Sequence, residues 1–403
     1  MTMAADKQDK VLNVPTLRFT EFSGEWHRTT IGECCSPLEY GMNAPAKEYD
    51  GKNKYIRITD IDEETCTYKY DDVVSPNALL EEKYKVLDND ILFARTGAST
   101  GKAYLYDKKD GLMYYAGFLI RGNVKPDFNS KFVFLQTQTQ KYKKWVDIMS
   151  IRSGQPGINS QEYSSFKFHL PPSKVEQDKI STLFTLLDVR ITTQIRIINE
   201  IQSLISGITQ KISKHSSIRM TMLSELLEER NEKNTALFPV HSVSVSEGVI
   251  NQIDYFGRSF AAADTSHYNV AHKGDIIYTK SPTGEFPFGI VKRNAIESNV
   301  AVSPLYGVYN PISDDVAIYL HYYFCSPLNA QNYLHKLIQK GAKNTINITN
   351  QRFVQNCIPL PDKKTLEGFV KLTTTVSTKL KLEKSLLEKL QKQKRYLLTQ
   401  MFV

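Results

Sequence analysis

The 403-residue chain has only five cysteines and eight histidines, and none stands in a chemically suggestive arrangement. Cys34, Cys35, Cys66, Cys325 and Cys357 form no CxxC and take no ligand spacing with histidine, which argues against a structural zinc site. No HExxH occurs. Unpaired thiols, in a chain whose opening MTMAADKQDKVLNVP has no apolar signal core, point to a reducing cytoplasm. No stretch approaches the roughly 18 consecutive apolar residues that a membrane span needs. Catalytic signatures are equally scarce. The single Pro-Pro, in LPPS (Leu170–Ser173), is not followed by the aromatic of an adenine methyltransferase motif, and no Gly-rich cofactor loop accompanies it. Asp60, Asp62, Asp90 and Asp275 are too scattered for a nuclease cluster. TGASTGK falls one residue short of a phosphate-binding loop between Gly97 and Gly101, and Ala103 stands where the magnesium-binding Ser or Thr belongs.

What is present is a chain able to bury real cores, with 41% hydrophobic and 23% charged residues, and long enough for two to three domains. Its net charge of +8 is unevenly spread. Residues 1–172 carry 23 basic and 23 acidic side chains, residues 173–216 carry 6 and 4, residues 217–362 carry 12 and 13, and residues 363–403 carry 10 and 3. Both globular stretches are therefore near neutral, and any contact they make with a polyanion must come from local patches.

The chain repeats itself. INSQEYSSFKFHLPPSKVEQ (Ile158–Gln177) matches ITNQRFVQNCIPLPDKKTLE (Ile348–Glu367), which pairs Ile158 with Ile348, Gln161 with Gln351, Tyr163 with Phe353 and Pro171 with Pro361. Thr209-Gln210 and Thr399-Gln400 keep the same shift. YKVLDNDILFART (Tyr84–Thr96) matches YNVAHKGDIIYTK (Tyr268–Lys280), pairing Asp90 with Asp275 just ahead of a strand. Within each copy, KYIRITDID and DILFAR read as short β segments. KFVFLQTQTQKYKKWVDIMS reads as one amphipathic helix, with Phe132, Leu135, Tyr142, Trp145 and Met149 at helical spacing, and VAIYLHYYFCSPLNAQNYLHKLIQ holds its place in the second copy.

A proline stop and a long helix close each copy. Phe184, Leu187, Ile191, Ile198, Ile201, Ile205, Ile208 and Ile212 form one 3/4 seam, broken at Gln194. Leu366, Phe369, Val376, Leu380, Leu387, Leu390, Leu397 and Met401 form the other, broken at Thr373, Glu383 and Lys394. Seams of this length predict a helix pair, and Gly207 would allow close approach. Roughly 35 residues at about 1.5 Å each span on the order of 50 Å. The expected layout is α+β: a recognition domain at 1–174, a long helix at 175–216, a second recognition domain at 217–362 and a second helix at 363–403. The helices would form an antiparallel coiled-coil spacer under a pseudo-two-fold repeat.

LRFTEFSGEW (Leu17–Trp26), DILFARTGASTGK (Asp90–Lys102), GQPGINSQEY (Gly154–Tyr163) and YLLTQMF (Tyr396–Phe402), in that order and with the duplication, resemble the specificity subunits of type I restriction-modification systems. The resemblance implies a non-catalytic chain in which each variable domain reads one half of a bipartite target in double-stranded DNA. It also implies methyltransferase (modification) subunits docked on the spacer helices and a translocating restriction subunit joining them. S-adenosylmethionine and ATP/Mg would then belong to those partners and no cofactor to this chain. SPTGEFPFGIV in the second copy departs from TGASTGKAYLY in the first, as expected if the halves read different bases.

The candidate contacts follow. Lys141, Lys143, Lys144 and Arg152 offer charge to phosphates, and Lys102 does so from the Gly-rich turn. Ser153, Gln155 and Asn159 offer polar groups to base edges from a Gly/Pro loop. The second copy presents Lys280, Lys340, Lys343, Asn344, Thr345 and Asn347 in matching places. The competing reading is a helical scaffold or adaptor whose globular ends bind protein.

Overall fold

The computed structural model describes residues 13–214, 218–257, 264–340 and 346–403. The chain divides into two compact units, one made of everything up to Ile195 together with Ser385–Val403, the other of Arg196–Lys384. The division falls inside both long helices, Lys174–Ile212 and Lys363–Gln400.

The first unit is built on a four-stranded antiparallel sheet in the order Glu39–Tyr40, Leu119–Asn123, Asp90–Ala94, Ala103–Leu105. Beside it His27–Thr30 pairs antiparallel with Lys167–Leu170, and Lys54–Ile56 pairs parallel with Met113–Tyr115. The strand expected across KYIRITDID is therefore short: after Ile56 the chain turns through Ile58–Asp60, where Arg57 is tied to Asp60. The single helix expected after it is two, Ser130–Gln136 and Gln140–Met149. Thr137 and Thr139 break it. Their hydroxyls donate to the Phe134 and Gln136 carbonyls, 2.7 Å each, and Thr139 caps the next helix by accepting from the Tyr142 amide. Hydroxyl side chains compete with the helix ladder in this way. The second unit breaks at the same point, into Asp314–Cys325 and Pro327–His335, with Ser326 as cap and Pro327 in the first turn.

The second unit repeats the sheet order with Leu227–Glu229, Gly307–Pro311, Ile276–Tyr278 and Val291–Arg293, and repeats the closing pair with Arg219–Met222 against Cys357–Leu360. One corner is reproduced down to the hydrogen bond. Asp90 accepts from the Leu87 amide at 2.7 Å, and Asp275 accepts from the His272 amide at 2.8 Å. In each case the side chain turns the chain into the core strand.

Each core is closed by both long helices. In the first unit Trp26, Phe132, Phe184 and Phe402 stack edge to face or tilted, with centroids between 5.3 and 6.4 Å. Leu187 and Ile191 bury against Leu390, and Lys394 reaches Asp188 at 2.7 Å. Early residues of one helix thus meet late residues of the other, so the pair runs antiparallel. In the second unit Ile208 and Ile212 pack on the core that holds Leu366 and Phe369, again antiparallel. The polar breaks in the seams are accommodated. Thr373 is buried and bonds the Phe369 carbonyl, while Glu383 pairs with Lys379 at 3.0 Å. Gly207 does not serve close approach: it is exposed, and a Cβ there would meet nothing within 4 Å.

Candidate nucleic-acid interface

In the first unit three segments distant in sequence are fastened at the end of the strand Asp90–Ala94. The Arg95 amide donates to the Phe118 carbonyl at 3.0 Å, and the Arg95 carbonyl accepts from the Ile158 amide at 2.9 Å. The Gly97 amide donates to Pro156 O at 2.9 Å. Beneath them the Tyr163 hydroxyl donates to Ala94 O at 2.6 Å and accepts from the Gly101 amide at 3.1 Å, and the Tyr142 hydroxyl donates to Gly101 O at 3.0 Å. Gly101 has to be glycine: its φ is +90°, and a Cβ would lie 2.5 Å from a Val146 methyl. The amides of Gly97, Thr100, Gly101 and Lys102 are all bonded within the protein, so TGASTGK is a packed turn between two strands rather than a cradle of open amides.

On this support the candidate contacts fall into two groups. Lys143 and Lys144 are exposed and make no ion pair among the described residues, and Ser153 and Gln155 are exposed in the loop. The others have work inside the protein. Arg152 holds Glu162 through two bonds of 2.6 Å. Asn159 caps the helix Ser160–Ser164, its Oδ1 accepting from the Glu162 amide at 2.9 Å while Glu162 accepts from its own amide at 2.8 Å. Lys102 lies 3.3 Å from Glu63. Lys141 reaches Val403 O at 3.3 Å, and burial followed by the nearby Arg28 draws its ammonium below the usual lysine value.

In the second unit Lys280 lies two residues past the strand Ile276–Tyr278, at the position that matches Arg95 in the repeat. Burial lowers its ammonium, with Glu229 opposing. Lys340 and Asn347 lie on a short antiparallel hairpin, Gln339–Lys340 with Ile346–Asn347. Lys343, Asn344 and Thr345 lie outside the described residues. Arg352 replaces Glu162 of the first unit and donates to Leu337 O at 3.1 Å.

Sequence reasoning missed Arg95, Tyr40 and Phe118. The Arg95 guanidinium lies 4.7 Å over the Tyr40 ring, the Tyr40 hydroxyl accepts from the Ser160 amide at 3.2 Å, and Phe118 stands out on the turn beside them. The pairing of both Glu39–Tyr40 and Asp90–Ala94 with the distant strand Leu119–Asn123 brings them together, though the repeat match of Arg95 with Lys280 was a usable signal.

Among the described residues no group of three or more His, Cys, Asp or Glu is placed to hold a metal ion, and no helix is long and apolar enough to cross a membrane. What the geometry offers is a rim of cations, hydroxyl and carboxamide side chains and aromatics suited to a polyanion with readable edges.

Two kinds of comparison bear on this rim. The fold is that of a type I restriction-modification S subunit from M. genitalium, with a TM-score of 0.61 at 13% identity over 97% of this chain and 99% of that one. A chain from a structural study of complex assembly and conformational transition of the type I R-M system aligns with a TM-score of 0.50 at 13% identity, over 93% of this chain and 96% of that one. Residues 25–203, which hold the first sheet and the whole first rim, match the family model for the type I restriction modification DNA specificity domain. Over residues 25–203 the chain is therefore similar to that DNA specificity domain.

Proposed function

We propose that the two units read the two halves of one bipartite target in double-stranded DNA, and that the long helices act as the spacer on which methyltransferase subunits dock, with a restriction and translocation subunit joining them. The chain contributes no chemistry of its own, and S-adenosylmethionine and ATP/Mg act in the partners. The observation that carries this reading is the duplication: both units keep the same sheet order, the same aspartate corner and the same break between helices. Their rims differ, as Arg352 in place of Glu162 illustrates. One support presenting two unlike surfaces suits two independent half-sites.

Exchange of residues 1–172 for the equivalent segment of a relative tests this directly. Methylation profiling of DNA modified by the assembled complex should report a change in one half of the motif only. A change in both halves, or in neither, overturns modular reading. Four residues inserted into one long helix lengthen it by about 6 Å and should widen the gap between half-sites while leaving their bases unchanged.

A further inference from the structure

We propose that Phe118 and Leu305 are apolar wedges that press into the base stack of the duplex, one in each half of the target. This deepens the DNA-reading assignment and rests on it.

Exposed apolar side chains are common singly, so exposure alone carries nothing here. Position does. Phe118 is 61% exposed and Leu305 71%, and the strand registers make them equivalent. Phe93 stands opposite Ile120, and Tyr278 stands opposite Gly307. The repeat that matches Asp90 with Asp275 also matches Phe93 with Tyr278. Ile120 therefore corresponds to Gly307, and two residues earlier Phe118 corresponds to Leu305.

Both are the third residue of a tight turn closed by a backbone bond, Leu119 N to Ala116 O at 2.8 Å and Tyr306 N to Ser303 O at 3.0 Å. Both turns are stiff. In the first, the Gly117 amide donates to Met42 O at 2.7 Å and Phe118 O accepts from Arg95. In the second, Pro304 fixes φ immediately before Leu305, whose amide donates to the Ser303 hydroxyl at 3.3 Å. A side chain held out on a stiff turn loses little freedom when it is buried in a partner.

A cation accompanies each apolar tip. Arg95 and Lys280 occupy matching positions just past the end of the neighbouring strand, and among the described residues neither forms an ion pair with a carboxylate. An apolar projection flanked by a cation that no carboxylate pairs matches a base stack flanked by phosphate. The surrounding segments have diverged, TGASTGKAYLY against SPTGEFPFGIV, yet this point keeps its character without keeping its residue. A contact to one base edge would change with the sequence read. A wedge parts a step whatever its bases, and Phe and Leu both serve in that role.

The test uses the full chain assembled with its methyltransferase subunits. The probes are duplexes of the target identified by methylation profiling, each with 2-aminopurine at one step away from the methylated adenine. Fluorescence should rise at one step in each half. Phe118→Ala should abolish the first rise and leave the second, Leu305→Ala should do the reverse, and each should weaken binding on the order of tenfold. Phe118→Leu should keep the signal. Binding without a brightened step, or brightening that survives both alanine variants, overturns the wedge. Mobility shifts on the same samples separate the two levels: failure of the unaltered complex to bind the duplex would overturn the DNA-reading assignment and the wedge with it.

Discussion

Asp90 and Asp275 occupy the same corner of the two units and are kept there by different chemistry. Both are buried, and both accept the amide of the residue three earlier. Asp90 takes its remaining bond from neutral Asn123 at 2.8 Å, and burial pushes its carboxyl above the usual range despite that bond. Asp275 faces the Arg230 guanidinium across 2.7 and 3.1 Å. The corner demands a buried acceptor, and each unit has found its own compensation. Duplication has thus preserved the backbone device and left its partner free to drift, as it did with Glu162 and Arg352 on the rim.

The difference can be broken experimentally. Arg230→Met would leave a carboxylate buried without its counter-charge, a loss of about 3–5 kcal/mol. Asn123→Ala removes a neutral donor and should cost about 1–2 kcal/mol. Hydrogen exchange on the full chain should show lost protection in the second unit for the former and in the first for the latter. Equal costs would mean that the Arg230 pair is no more than a hydrogen bond.

The rim sharpens the comparison. Gln155 offers a donor and an acceptor from an exposed loop, whereas Lys143 offers only charge. In the assembled complex Gln155→Ala should cost about 1–3 kcal/mol against the cognate half-site and relax discrimination at one base. Lys143→Ala should weaken all sequences alike and lower the salt slope by nearly one unit. If Lys143→Ala alters the cognate-to-mismatch ratio and Gln155→Ala does not, the loop is not the reading surface.

The thiols divide the units in the same way. Burial pushes Cys34 and Cys35 of the first unit up to about 11 and about 12. Burial also raises Cys325 of the second, but His321 and Lys292 outweigh it and draw the thiol down from 9.0 to about 6. The Lys292 ammonium lies 3.2 Å from its sulfur and His321 Nε2 lies 3.8 Å away. Because the folded value is the lower one, the stabilisation is complete above about pH 9 and is lost as pH falls through about 6. Iodoacetamide should modify Cys325 at a nearly constant rate above pH 7 and progressively more slowly below about 6. Lys292→Met should move that midpoint upward. An unmoved midpoint would assign the effect to His321 alone.

Periodic features were legible in the sequence because they repeat. Both seams, both buried partners Tyr163 and Phe353, and the paired aspartates can be read from the sequence alone. The break at Thr137–Thr139 did not, since apolar spacing continues across it while the hydroxyls take the backbone bonds. Asn159 has a second role that the sequence also shows. Asn followed by Glu three residues later, in NSQE, is a capping box, and the cap engages the side-chain oxygen of Asn159. Phe118 was invisible because its meaning depends on the register between strands, which composition does not encode.

Glycine gives the smallest and cleanest contrast. Gly101 in the first unit has φ +90° and no room for a Cβ, so Gly101→Ala should destabilise that unit. Gly207 lies in the interior of a helix, exposed, with open space around the position of a Cβ. It carries the entropic cost of glycine without any packing return, and Gly207→Ala should stabilise by about 1 kcal/mol. That corresponds to roughly 2–4 °C in the melting of a domain this size. A loss of stability on Gly207→Ala would show that the bare backbone at this point is in use, with a subunit docked against the long helix as the first candidate.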